Sequence, residues 1–89
     1  MSRQKGDIMR ASDRLLNLNR HYLVVFRDVN DNICVHYENC EYKDGCALVA
    51  NSGRGRCFEE ACEDYLRQIS GKTLVFDACT DKRKEVIVL

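Results

Sequence analysis

The segment CFEEACEDYLRQI, residues 57–69, decides the fold because it carries the clearest periodicity in the chain. Its apolar side chains recur at helical spacing and form one continuous stripe, namely Phe58, Ala61, Cys62, Tyr65, Leu66 and Ile69. Four carboxylates crowd its first turns, where the helix dipole favours negative charge. Gly71 is typical of the position just past a helix C-terminus. The segment is therefore predicted to be an amphipathic helix with one buried face.

Five runs rich in β-branched, aromatic or other apolar residues surround this helix and are predicted to be strands. They are residues 21–29, 32–38, 46–51, 73–79 and 84–89. Asn30-Asp31 and Asp44-Gly45 supply the turns between the first three. The predicted fold is α+β, with the order β-β-β-α-β-β. It has an antiparallel sheet of about five strands and one main amphipathic helix packed on one face.

Residues 1–20 begin polar and are predicted to form an N-terminal arm or a short helix, because Ser12 precedes Leu15 and Leu16. Residues 21–89 are predicted to be a single domain, since 89 residues can bury only one small core.

The charge and hydropathy of the chain exclude several classes of protein. The 14 basic and 14 acidic side chains give a formal net charge of zero, which argues against direct nucleic-acid binding and against an acidic DNA mimic. No run approaches the length of a membrane span. Residues 1–20 have no apolar signal-peptide core. We therefore expect a cytoplasmic protein that binds no membrane.

Cysteine is the outlier in the composition. The six cysteines are Cys34, Cys40, Cys46, Cys57, Cys62 and Cys79. A cytoplasmic location disfavours disulfides. Two interpretations stay open at this point, buried thiols that act as small hydrophobic groups and thiolates that hold one structural zinc ion.

The most compact candidate zinc site consists of Cys34, His36, Cys40 and Cys46. Zinc takes Cys and His ligands in tetrahedral sets. On an uninterrupted strand Cys34, His36 and Cys40 share one face, and the turn that follows brings Cys46 back towards Cys40. Strict alternation, however, turns Cys46 to the other side.

Other cysteines and one histidine have separate roles in this interpretation. His21 and Cys57 are candidate substitutes in the ligand set. Cys57 takes the N-cap position of the predicted helix, where the dipole stabilises a thiolate. Cys62 lies in the apolar stripe and is predicted to be core, whereas Cys79 at a strand end fits either interpretation.

Catalytic motifs are missing from the sequence. It contains no GxGxxG, GxxxxGK[ST] or GxSxG pattern, and no flanking pattern marks a cysteine nucleophile. The run from Gly53 to Arg56 is predicted to be a flexible strand-to-helix loop rather than an anion site. The chain is therefore predicted not to be an enzyme.

Residues 21–39 and 55–69 resemble the core of HicB-type antitoxins. In that family a hairpin and a third strand precede a helix that opens with G-[DR]-T-[FL]-E-E-A. The matching stretch here is Gly55-Arg56-Cys57-Phe58-Glu59-Glu60-Ala61. This chain lacks the proline-rich turn that is usual between the second and third strands. The resemblance implies a strand-strand-strand-helix core and a module that binds a small toxin.

Residues 57–89 look like small proteins encoded by phages and prophages of Gram-positive bacteria. The chain as a whole is similar in style to type II anti-CRISPR proteins. This resemblance implies a phage protein that inhibits a host RNA-guided CRISPR nuclease by protein–protein contact, with any zinc stabilising the fold. It carries over no binding residues. The alternatives are the HicB-like antitoxin and a small nucleic-acid-binding protein that uses Arg54, Arg56 and the basic N-terminal arm. The oligomeric state stays open.

Overall fold

The structure, a computed structural model, describes residues 9–18 and 23–89. Its elements are α1 (Ala11–Leu18), β1 (Leu23–Arg27), β2 (Ile33–Tyr37), β3 (Cys40–Asp44), β4 (Ala47–Val49), β5 (Gly53–Gly55), α2 (Phe58–Ile69), β6 (Thr73–Phe76) and β7 (Lys84–Ile87). All pairs are antiparallel. Sheet 1 has the order β1-β2-β5 and sheet 2 the order β4-β3-β6-β7. The α+β fold is confirmed, and its strands form two sheets where the sequence predicted one.

The chain passes from sheet 1 to sheet 2 at the turn Glu38-Asn39. Asn39 has φ 52, in the left-handed region that asparagine tolerates better than most residues. This turn interrupts the strand and resets its alternation, so that Tyr37 and Cys40 both face the core. The prediction that Cys34, His36 and Cys40 share one face of an uninterrupted strand is therefore wrong, because β2 ends at Tyr37 and β3 begins at Cys40.

Helix α2 packs across sheet 1 at very short range. Its buried side chains are Ala61, Cys62, Tyr65, Leu66 and Ile69, as the periodicity predicted, whereas Phe58 is 39% exposed. The close approach requires glycine in β5, because a Cβ on Gly53 would lie 2.2 Å from the Ala61 carbonyl oxygen. A Cβ on Gly55 would lie 2.5 Å from Cβ of Glu60. The run predicted to be a loop is thus a short strand beneath the helix.

Three aromatic rings join the two sheets and α2 into one core. The Tyr37 ring meets Tyr65 of α2 edge-on at 5.7 Å and Phe76 of β6 at 5.5 Å. The backbone N–H of Tyr37 donates to the Tyr65 hydroxyl at 3.2 Å. The Tyr37 hydroxyl donates to the carbonyl of Leu15 in α1. Each buried hydroxyl therefore has a partner, which limits the cost of burying it.

Helix α1 docks on the start of α2 through Glu59. The backbone N–H and hydroxyl of Ser12 donate to the Glu59 carboxylate at 3.2 and 2.6 Å. Leu15, which is fully buried, anchors the same helix from its apolar side. Hydrogen bonds to Glu59 and Tyr37, together with the buried Leu15 side chain, thus hold α1.

We expect the variant Glu59→Gln to loosen α1 because an amide accepts these hydrogen bonds more weakly than a carboxylate. The Ser12 hydroxyl holds the pKa of the Glu59 carboxyl below its usual value. Because the pKa of this carboxyl is lower in the folded than in the unfolded state, its ionised form stabilises the fold at pH values above the unfolded-state pKa. This contribution is lost as the pH falls through the folded-state pKa. The variant should lose roughly 0.5–1 kcal/mol at pH 7, and its stability should fall less steeply in acid.

Urea unfolding of the wild type, Glu59→Gln and the control Glu63→Gln over a range of acidic and neutral pH measures this effect. Glu63 is exposed on the same helix and accepts none of the hydrogen bonds found among the described residues. Equal unfolding curves for wild type and Glu59→Gln at pH 7 would contradict the docking role.

Candidate functional site

An open cleft of about 400 Å³ lies where the two sheets meet. Its lining residues are Phe26, His36, Asn39, Cys40, Glu41, Ala50, Asn51 and Ser52. Phe26 and His36 come from sheet 1, the next three from the turn and the start of β3, and the last three from the link between β4 and β5. The interruption at Asn39 therefore creates the cleft, because it bends the chain from one sheet into the other.

Two rings form the wall of the cleft on sheet 1. Phe26 of β1 and His36 of β2 contact each other edge-on, with ring centroids 5.8 Å apart. Nδ1 of His36 lies 2.8 Å from the carbonyl oxygen of Tyr37. A carbonyl only accepts, so Nδ1 carries a proton and donates it, which fixes the orientation of the imidazole.

The opposite wall is tied to α2 by Gln68. Asn51 donates from Nδ2 to Oε1 of Gln68 at 2.9 Å, and Gln68 donates from Nε2 to the carbonyl of Ser52 at 3.1 Å. The same Nε2 atom also lies 2.9 Å from Oδ2 of Asp64. The link between β4 and β5 is thus held at a fixed distance from the helix.

The cleft carries one formal negative charge. Glu41 is its only carboxylate, no lysine or arginine lines it, and Glu41 joins none of the ion pairs among residues 9–18 and 23–89. The side chains of Asn39 and Asn51 add neutral polar groups. A cationic group fits this lining better than an anion does.

The residues predicted to bind zinc are only partly brought together. His36 and Cys40 line the same cleft, and Cys34 is buried in β2 opposite Phe26. Cys46 is exposed beyond the turn that ends β3, so it is separated from Cys40 by a strand of roughly 13 Å. No group of three or more His, Cys, Asp or Glu side chains placed to hold a metal occurs in the described part of the chain. His21 lies outside the described residues.

The remaining cysteines divide by exposure. Cys57 takes the N-cap position of α2, as predicted, and its side chain makes no capping hydrogen bond. Cys34, Cys40 and Cys62 are buried, whereas Cys46, Cys57 and Cys79 are exposed, and all six are free thiols. The interpretation as buried hydrophobic thiols thus applies to half of them, and the prediction that Cys62 is core is confirmed.

The structural zinc stays a prediction, and elemental analysis of the purified chain measures it directly. One zinc ion per chain, lost together with thermal stability in Cys40→Ala, is the expected result if the site exists. Cys79→Ala is the control because Cys79 is exposed and outside the predicted ligand set. Metal-free protein with six titratable thiols would refute the zinc site.

Burial disfavours the thiolate form of Cys40. Its desolvation raises the pKa of the thiol to about 12, and that of Cys62 to about 11. A thiol with such a pKa stays protonated at neutral pH and is a poor nucleophile. Cys40 and His36 therefore share a cleft without forming an activated pair.

The edge of sheet 1 at β1 is the longest apolar edge of the fold. Four of its five side chains are apolar, and Val25 and Phe26 are 49% and 43% exposed. Within the described ranges no strand pairs with the outer side of β1. An edge of this kind offers unpaired N–H and C=O groups to another strand.

The other three edges are less open. Strands β4 and β5 have only three residues each, and the N–H of Arg54 in β5 donates to Asp64 of α2 at 2.9 Å. Strand β7 carries Lys84 and Glu85, and charged side chains protect an edge against pairing. Strand β1 is therefore the edge best suited to accept a partner.

Of the residues that line the cleft, the sequence indicated His36 and Cys40 but not Phe26, Asn39, Glu41 and residues 50–52. A two-residue turn at Asn30-Asp31 would set Phe26 opposite Val35, whereas the observed pairing sets Phe26 opposite Cys34. The predicted register is thus wrong by one residue and puts Phe26 on the face away from His36. Glu41 could not be placed either, because its position depends on the turn at Asn39.

No protein-family model, curated protein or solved structure matches this chain. Its function is therefore inferred from its own geometry. Among the described residues, neither helix is long and apolar enough to cross a bilayer.

Proposed function

We propose that this chain is a non-enzymatic binding protein that holds a protein partner by adding an extended segment of that partner to β1. The observation that carries this proposal is the open apolar edge described above, with Val25 and Phe26 half exposed. Main-chain hydrogen bonds along such an edge supply affinity, and alternate side chains supply specificity. Val29, which follows β1 and is 99% exposed, extends the apolar surface.

The partner proposed first is a type II RNA-guided CRISPR nuclease of the host, inhibited at a one-to-one ratio. The resemblance to anti-CRISPR proteins of phages suggests this class of partner. The formal net charge of zero is better suited to contact with a protein surface than to mimicry of DNA. Arg54, a candidate for contact with nucleic acid, is paired with Asp28 at 3.0 Å, which weakens that alternative.

The buried thiol in the cleft is not activated, which agrees with a non-enzymatic role. Burial raises the pKa of Cys40, which shares the cleft with His36, to about 12, so its thiol stays protonated at neutral pH. Inhibition by contact requires neither group to react.

The test compares wild type with Val25→Lys and the control Ile87→Lys. A lysine on β1 should prevent addition of a strand, because a charged side chain on an edge opposes pairing. Ile87 is an exposed apolar residue on the edge strand β7, so its replacement controls for the general effect of a new charge. We expect wild type and Ile87→Lys to block DNA cleavage by purified nuclease–guide RNA complexes, and Val25→Lys to lose at least about tenfold in affinity.

Two results would overturn the proposal. If no type II nuclease complex in the panel is bound or inhibited by wild type, the assigned partner is wrong. If wild type forms a dimer that Val25→Lys dissociates, as measured by analytical ultracentrifugation, a second copy of the chain occupies the edge. Circular dichroism of each variant establishes that it folds.

A HicB-like antitoxin is the second candidate, and the order of elements supports it. Strands β1, β2 and β5 form a three-stranded sheet, and α2 begins directly afterwards with Phe58-Glu59-Glu60-Ala61. This is the strand-strand-strand-helix order that the resemblance implies, with β3 and β4 inserted. Relief of growth arrest when the chain is co-expressed with the product of a neighbouring toxin gene would favour this function over nuclease inhibition.

A further inference from the structure

The cleft and the β1 edge are continuous because they share Phe26. Phe26 belongs to β1 and lines the cleft beside His36. On an antiparallel strand added to β1, the residue opposite Phe26 would point its side chain to the same face, with its Cβ about 5 Å away. One side chain of the partner would therefore reach the mouth of the cleft.

The residues that line the cleft indicate which type of partner side chain it can bind. Glu41 is a partly buried residue, and its carboxylate has no ion-pair partner among the described residues. Phe26 and His36 offer ring surfaces, and Asn39 and Asn51 contribute side-chain amides to the lining. A guanidinium group pairs with a carboxylate through two parallel hydrogen bonds and also stacks on aromatic rings, whereas an ammonium group is a more strongly hydrated point charge.

We infer that the cleft holds the side chain of an arginine on the partner segment that adds to β1. This inference rests on the proposed function and specifies the partner at that site. The guanidinium group pairs with Glu41, and its alkyl stem or its plane lies against Phe26. Neutral amide oxygens remain to accept its other N–H groups.

A second copy of the chain paired about Val25 fits the cleft less well. This pairing would place Val24 of one copy opposite Phe26 of the other. Valine leaves the Glu41 carboxylate without a partner, so in this register charge complementarity favours a partner segment that carries arginine opposite Phe26.

The test is a titration of N-acetyl-arginine methylamide into ¹⁵N-labelled protein, followed by shifts of backbone amide resonances. We expect saturable shifts at Phe26, Glu41 and Asn51 in the millimolar range. The citrulline analogue, which has nearly the same shape and no charge, should bind about tenfold more weakly. In Glu41→Gln the arginine and citrulline probes should bind with equal affinity. Glu38→Gln is the control, because Glu38 is an exposed carboxylate outside the cleft lining.

Three outcomes would overturn the inference. They are equal binding of arginine and citrulline probes, arginine binding that Glu41→Gln leaves unchanged, and equal binding of a lysine probe, which would mean a general preference for cations. The experiment is separate from the test of the proposed function. If Val25→Lys still binds the arginine probe, the inference that the cleft holds an arginine side chain is supported even if no nuclease binds. If Val25→Lys no longer binds the nuclease but the wild type binds no arginine probe, only the inference about the cleft is refuted.

Discussion

Gly53→Ala should reduce the free energy of unfolding by about 4 kcal/mol or more, enough to unfold much of a chain of this size at ambient temperature. The added Cβ would lie 2.2 Å from the carbonyl oxygen of Ala61 and 2.4 Å from the backbone nitrogen of Tyr65. Both are backbone atoms of α2, so the helix itself would have to move away from sheet 1. Such a movement would open the core between the two layers.

The control for this prediction is Gly45→Ala. Gly45 has φ 63, and nothing lies within 4 Å of the Cβ that alanine would add, so this change should cost only about 1–2 kcal/mol of backbone strain. Urea unfolding followed by circular dichroism gives both values. A loss of less than about 1.5 kcal/mol in Gly53→Ala would mean that α2 does not approach β5 as closely as described.

Tyr65→Ala should cost about 3–5 kcal/mol, the range for removing a large buried ring. The Tyr65 ring is fully buried against Tyr37, and its hydroxyl accepts the N–H of Tyr37 at 3.2 Å. Removing the ring leaves a cavity between α2 and both sheets and also leaves a buried N–H group without a partner.

Two variants separate these effects. Tyr65→Phe keeps the ring and removes the acceptor, so we expect a loss of about 1–3 kcal/mol. Phe58→Ala, on the same helix but at the exposed position, should cost less than about 1.5 kcal/mol. If Tyr65→Ala costs less than Phe58→Ala, the buried face of α2 has been assigned incorrectly.

The sequence predicted those features of the fold that depend on long periodic patterns. Helix α2 has an apolar stripe over its whole length, and the five predicted strands contain β1, β2, β4, β6 and β7. A pattern repeated over many residues is insensitive to the conformation of any one of them. The hairpin of β1 and β2 was also accessible, but its register is shifted by one residue from that of a two-residue turn at residues 30–31.

The division into two sheets depends on single residues and could not be predicted in this way. One positive φ at Asn39 redirects the chain, and asparagine occurs in many conformations. Strand β5 is Gly-Arg-Gly, a sequence of low β propensity, and it forms a strand because α2 lies directly over it. The candidate zinc set was affected most, since the same turn carries Cys40 into the core and leaves Cys46 at a distant exposed turn.

The central claim, that a partner segment adds to β1, is tested most directly by amide hydrogen exchange of the chain alone and in complex with the nuclease proposed as its partner. We predict new protection at outward-facing amides of residues 23–27, with no comparable change along β7. Protection confined to surfaces other than β1, with exchange across residues 23–27 unchanged in the complex, would contradict this claim.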